Sequence, residues 1–528
     1  MTKLLQTEVE KRRIFGIISH PDAGKTTLTE KFLLHGGAIR EAGSVKARKN
    51  SKFAKSDWME IEKQRGISVT SSVMQFEYDK KIVSIMDTPG HSDFGEDTYR
   101  ILTAVDSAIM VIDAAKGIES QTKKLFQVCR MRGIPIFTFI NKMDRQARDP
   151  LELMEELEEV LGIPSVAVTW PAGSGQQFEG VYDRVNEKFH CFKNDRLTID
   201  LGEEGLANDR LASTINNEMY DTLVDEVDLL DGAGNAYDEE LIAKGELTPV
   251  FFGSALVDFG ITPLLEHYLN LSPSPTPRES NKGQIEPAQE FFSGFVFKIQ
   301  ANMNPNHRDR IAFVRICTGK FDRGMEVVLT RTGKKMKLSQ STQFMADERE
   351  TVNEAFAGDV IGLYDSGNYQ IGDTITNGDP SLQYEALPTF APELFLKVFT
   401  KNALKSKQFQ KGVEQLAQEG AIQVYKTEYN EIILGAIGQL QFEVFEHRLK
   451  GEYGVDILKD AANFQVAKWV KVTEISEVKK LTDSRTVLVY DRWENPVLLF
   501  ANDFVYERFV QKNDGVITLV DSPQLLKD

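Results

Sequence analysis

Ser19-His20-Pro21-Asp22-Ala23-Gly24-Lys25-Thr26-Thr27 follows an apolar, β-branched run, Arg13 to Ser19, and opens the helical stretch Lys25 to His35. It fits the phosphate-binding pattern G-x-x-x-x-G-K-[ST], with Ser19 where the first glycine is usual. The pattern has a physical basis. In a loop between strand and helix, the backbone N–H groups and the helix N-terminus face an anion. A lysine at position 25 then meets the outer phosphates as a point charge, and the Thr26 hydroxyl is placed to ligate Mg²⁺.

Working outward, further apolar runs occur at Ile82–Asp87, Ala108–Asp113, Ile134–Asn141 and Pro249–Ser254, separated by helical stretches such as Gln121–Arg132. This alternation predicts a doubly wound, mostly parallel α/β sheet. Three of the strand ends carry chemistry. Asp87-Thr88-Pro89-Gly90-His91 places a carboxylate where it can hold Mg²⁺ directly or through water, and Gly90 lets an N–H approach a γ-phosphate. Asn141-Lys142-Met143-Asp144 fits NKxD, in which the carboxylate of Asp144 accepts hydrogen bonds from the guanine N1–H and 2-amino group. Ser254-Ala255 closes the last strand. The order of the four motifs, each at a strand end, specifies GTP rather than ATP.

The rest of the chain bounds the answer. Its 528 residues suggest about three or four domains. It is 41% hydrophobic and 27% charged, with a net charge of -17. Mean hydropathy is -0.30. Cys129, Cys191 and Cys317 lie far apart with no CxxC pair, which excludes a disulfide framework or cysteine zinc site and points to a reducing compartment. No signal-like segment and no run of about 18 apolar residues occurs, so a cytoplasmic protein without membrane spans is expected. The charge is uneven. Between Glu203 and Glu240 there are twelve acidic residues against Arg210, whereas Arg40–Lys55 and Arg308–Lys337 are basic. Charge runs are usually solvated faces; these two basic segments also permit contact with RNA phosphates.

The pattern divides the chain into a P-loop domain at 1–275 with an acidic insertion at about 150–245, and a Pro-rich linker at 276–290. An antiparallel β-barrel follows at 291–388, then an α+β domain at 389–528. No internal repeat is visible.

SHPDAGKTT, RGIS, DTPGHSDF and NKMD resemble the translational GTPases, the group containing elongation factors G and Tu. SDWMEIEKQRGISVTSSVMQF and the overall length are most similar to the bacterial class-II release factors, and the resemblance spans essentially the whole chain. It implies that Ser68, in Gln64-Arg65-Gly66-Ile67-Ser68, supplies a Mg²⁺-ligating hydroxyl with the methyl of the usual threonine missing. Arg40–Lys55 would be a nucleotide-ordered switch. His91 would position the attacking water, with His20 a loop residue. His35, His190, His267, His307 and His447 read as packing or surface residues. Pro21 stands where elongation factor Tu has Val, opposite Ile67. No arginine finger is evident in cis, with Arg65 and Arg100 the candidates. The chain ends at Asp528 without the two further domains of an elongation factor G, and it lacks a GGQ tripeptide. The implied role is a monomeric, ribosome-stimulated GTPase that dissociates class-I release factors after peptide release. The implied partners are ribosomal RNA and proteins and the class-I factor, with neither membrane nor DNA. An elongation-type or ribosome-protection GTPase is the alternative.

Overall fold

The computed structural model describes residues 2–39, 72–193, 196–301, 310–345, 348–387, 389–471, 475–513 and 515–526. Arg40–Lys55, Arg65, Ile67, Ser68, His307 and Arg308 lie outside the described residues.

The first domain is built on strands β1 (Arg12–Ser19), β2 (Ser72–Tyr78), β3 (Lys81–Asp87), β4 (Ser107–Asp113), β5 (Ile136–Asn141) and β6 (Ser165–Ala167). After β7 (Thr169–Ala172), β8 (Gly180–Asp183), β9 (Lys188–Cys191) and β10 (Thr198–Asp200), it closes with β11 (Thr248–Phe252). The main sheet runs β2-β3-β1-β4-β5-β11-β6. Only the β2–β3 pair is antiparallel. Every residue of β1, β4, β5 and β11 is buried, as expected where helices cover both faces. Two apolar clusters result, one on each face.

The acidic segment begins later than the charge pattern predicts. Helix Pro150–Leu161 and β6 belong to the main fold, because β6 pairs with β11 at the sheet edge. A three-residue strand leaves too short a pattern to read. The segment itself is a four-stranded antiparallel sheet, β10-β9-β8-β7, capped by helix Asn217–Ala233. Leu223 and Val227 of that helix face inward, whereas Glu218, Asp221, Asp225 and Asp228 are exposed. Its acidity is therefore largely a solvated face.

Residues 276–290, read from sequence as a linker, contain a two-stranded ribbon, Arg278–Ser280 with Gly283–Ile285. An eight-stranded antiparallel sheet follows, curled into a half-barrel around Val296, Ile299, Val314, Ile361 and Ile375. Val9, from the N-terminal helix Thr2–Glu10, joins this core.

The region after 389 repeats one topology without repeating its sequence. Strand Leu394–Thr400, helix Ser406–Gln418, strands Gln423–Lys426 and Ile432–Ala436, helix Gln439–Tyr453 and strand Ile457–Ala461 form a split βαβ unit. Residues 466–520 form a second unit of the same element order, with strands Val466–Lys471, Thr486–Tyr490, Pro496–Phe500 and Thr518–Val520. The two sheets join edge to edge at Lys426 and Tyr490. The fold needs the same alternation of apolar positions in each unit, not the same residues, which is why no repeat is legible.

Buried ion pairs fasten the first domain to the half-barrel. Asp106, with a fully buried side chain, binds Arg315 at 2.5 Å and Arg278 at 2.8 Å. Arg12 binds Asp359 at 2.9 Å. Much of the basic run that reads from sequence as a solvated face, open also to RNA phosphates, is consumed this way. Arg310 pairs with Asp365, Arg315 with Asp106, Lys320 with Asp322 and Glu354, and Arg331 with Asp373. Lys335 and Lys337 remain exposed. Asp106→Asn leaves the buried Arg315 without its carboxylate and weakens the hold on Arg278, which keeps the Thr103 and Val105 carbonyls, so the expected loss is about 3–5 kcal/mol of stability. A lower urea midpoint for the first transition measures it; an unchanged midpoint contradicts the assignment.

Candidate functional site

The carboxyl ends of β1, β3, β5 and β11 converge, as binding sites do in such sheets. Between β1 and helix Lys25–His35 the chain turns through two left-handed residues, Asp22 (φ 66) and Gly24 (φ 107). Gly24 is required here twice over. Its φ disfavours any side chain, and a Cβ would collide with Asn141 Nδ2. Ala23 and Lys25 are buried, and so are Ser19 and Thr26; Thr27 follows on the same helix. Among the described residues, the Ser19 hydroxyl is buried without a hydrogen-bond partner.

Lys25 Nζ lies 2.5 Å from Asp87 Oδ1, both side chains being nearly inaccessible. The strand-end carboxylate and the loop ammonium therefore neutralise each other in a buried pair. Thr88 donates to the Ile17 carbonyl at 2.6 Å, pinning the start of the next loop to β1. After Pro89, Gly90 faces Pro21, whose Cα is 3.7 Å from the position of a Gly90 Cβ. His91 is 38% exposed, with Nδ1 3.1 Å from Asp93 Oδ1. His20 turns the other way, to Glu119 at 3.2 Å.

The NKMD segment is held by bonds within the protein. Asn141 Nδ2 donates to the Ala23 carbonyl at 2.8 Å, and its Oδ1 accepts from the Ala255 amide at 2.8 Å. One amide side chain thus ties the first, third and fourth motifs together. Lys142 (φ 74) reaches the Asp22 carbonyl and Asp113 Oδ2, each at 2.6 Å. Burial opposes ionisation of Asp113, but hydrogen bonds from Lys142 and the Ala115 amide hold its carboxyl below the usual range. Met143 is fully buried, its N–H bonded to the Gly253 carbonyl. The Ser254 hydroxyl donates to Asp144 Oδ1, fixing the orientation of that carboxylate.

Residues 10–274 match the Elongation factor Tu GTP binding domain, residues 291–378 Elongation factor G domain 2, and residues 384–510 Class II release factor RF3, C-terminal domain. A protein described as peptide chain release factor 3 from Listeria monocytogenes serotype 4a (strain HCC23) is 60% identical over 98% of this chain and 99% of its own length. Another of that description, from Ligilactobacillus salivarius (strain UCC118), is 56% identical over 97% of this chain and 98% of its own. This chain belongs to the peptide chain release factor 3 family. It is a translational GTPase of termination that binds guanine nucleotide and acts with the ribosome. A solved structure from Thermus thermophilus shares the fold at 22% identity, with a TM-score of 0.70 over 88% of this chain and 71% of its own. No helix among the described residues is long and apolar enough to cross a membrane.

The arginine-finger candidate Arg100, and the histidines read from sequence as packing or surface residues, lie away from the site. Arg100 is buried against Glu96 and faces Gly420 of the C-terminal region, so it belongs to a domain contact. His35 pairs with Asp258, His267 is buried against Asp183, His190 meets Thr198, and His447 is exposed. Reading the sequence missed Asp93, Asp113 and Glu119, the partners of His91, Lys142 and His20. The signal available for Asp93 was only its place two residues after His91.

Proposed function

We propose that this translational GTPase is stimulated by the ribosome and uses its nucleotide cycle to dissociate class-I release factors after the peptide has left. In this reading it neither reads stop codons nor hydrolyses peptidyl-tRNA. It works as a monomer in the cytoplasm. The similarity of residues 384–510 to the C-terminal domain of class-II release factors carries the reading, because that region distinguishes this branch from elongation factors.

The residues divide the chemistry as follows. Lys25 leaves Asp87 for the β- and γ-phosphates, while the amides of residues 20–26 cradle them. The oxygen donors suit Mg²⁺: the hydroxyls of Thr26 and Ser68, with Asp87 acting through water. The ion would neutralise charge on the β- and γ-phosphates. The Gly90 amide meets the γ-phosphate, and His91 orients the attacking water. Asn141 and Ala255 hold the pocket in shape, Lys142 flanks the base, and Asp144, set by Ser254, reads it. Support comes from the convergence of all four motifs and from a buried Lys25–Asp87 pair that a nucleotide and its cation would replace.

The test follows a labelled class-I release factor on ribosomes stalled after peptide release. With this protein and GTP, dissociation should accelerate; with GDP or without protein, it should not. GTP hydrolysis on ribosomes with the labelled factor left in place would move the function to translocation or ribosome protection.

A further inference from the structure

The helix Gln439–Tyr453 begins at Gly438, a residue with no side chain to cap it. The cap comes from another domain. Asp93 Oδ2 accepts the Leu440 amide at 2.8 Å, placing a carboxylate at the positive end of a 15-residue helix. The other oxygen of Asp93 is 3.1 Å from His91 Nδ1. The Asp93 backbone N–H also lies 3.3 Å from that nitrogen. Nδ1 is therefore gripped in either state, donating to the carboxylate when it carries a proton and accepting from the amide when it does not. One side chain thus joins His91 to a helix 347 residues further along the chain.

Two observations fix the sense of this link. Lys25 is paired with Asp87, the arrangement that outer phosphates must displace. In that same arrangement the His91 ring is 38% exposed and turned to Asp93, not buried against the phosphate loop. Only a few residues separate Gly90 from Asp93. For His91 to move onto a water at the γ-phosphate, it must leave Asp93 or draw Asp93 away from Leu440.

We propose that Asp93 is a positioning residue through which the docked C-terminal region holds His91 off the nucleotide, so that undocking the helix at Gly438 releases the water-orienting group. This inference rests on the role assigned to His91 above. By linkage, whatever moves the helix from Asp93 favours the hydrolytic arrangement, and the hydrolytic arrangement loosens the helix. On the ribosome, movement of the C-terminal region is then part of activation.

Gly438→Ala tests this from outside the nucleotide site. Its backbone (φ −145, ψ 166) accepts alanine, but the new Cβ would overlap the Asp93 carboxylate. Single-turnover GTP hydrolysis without ribosomes should rise about tenfold, the change expected from losing one charge-assisted hydrogen bond. Asp93→Ala, which removes the carboxylate grip, should raise the same rate, with thermal unfolding measured on each variant to confirm folding. The His91→Ala/Gly438→Ala double variant should show no rise over His91→Ala. Basal rates unchanged or lowered in both folded single variants would overturn the proposal, as would a rise that persists without His91. Ribosome-stimulated turnover of His91→Ala alone reports separately on the role of His91, so failure there is distinguishable from failure of the brake.

Discussion

His91→Ala should bind GTP and GDP as the parent does, yet hydrolyse GTP on saturating ribosomes about 10²–10⁴-fold more slowly, the range for loss of a positioned proton-handling group. Binding survives because the polar contacts of His91 run to Asp93, and Gly90 sits against Pro21 of the phosphate loop. Turnover falls because phosphoryl transfer relies on positioning and electrostatics, so a misplaced water leaves the phosphate clamp with nothing to react. The loss should appear in kcat with KM for ribosomes unchanged, the pattern of an interaction made in the transition state. Rapid-quench hydrolysis alongside fluorescent-nucleotide titration measures both halves. An unchanged kcat would remove His91 from the mechanism and transfer the role to a residue supplied by the ribosome.

What could be read from the sequence was whatever is local. The phosphate loop, the strand-end carboxylate and NKMD each sit within a few residues, and the apolar runs between them set the sheet. The chain therefore disclosed a GTPase domain, an antiparallel barrel, which the structure leaves as a half-barrel, and an α+β region in order. Distant pairings were closed to it. Asp106 gives no hint that it will meet Arg315, 209 residues away. Without those partners the 308–337 run looks like a solvated face open to RNA phosphates, although Arg310, Arg315, Lys320 and Arg331 are committed within the protein. β6 was lost to its length and the tandem split βαβ units to their unlike residues. Asn141 shows the intermediate case. The motif named it as base-proximal, whereas its work in this structure is to tie Ala23 to Ala255.

That division of labour makes Asp144 the sharper test of base reading. Asp144→Asn should weaken GTP binding by about 10²–10⁴-fold, because two hydrogen bonds to a charged acceptor are lost at about 1.5–3 kcal/mol each. The pocket itself should persist. Ser254 donates to Asp144 Oδ1, and an asparagine carbonyl accepts the same bond. Asn141 keeps its contacts to Ala23 and Ala255, so the loop geometry does not depend on the mutated charge. The new carboxamide offers an N–H where guanine also offers one, and an N–H facing the C2 carbonyl of xanthine. Preference should therefore pass to xanthosine triphosphate, with hydrolysis on ribosomes restored by that nucleotide. Asn141→Ala should behave differently, weakening both nucleotides together, since it unties the loop without altering what is read. Competition titrations with the two triphosphates separate the cases. If Asp144→Asn retained its preference for GTP, the carboxylate would not be the group that reads the base.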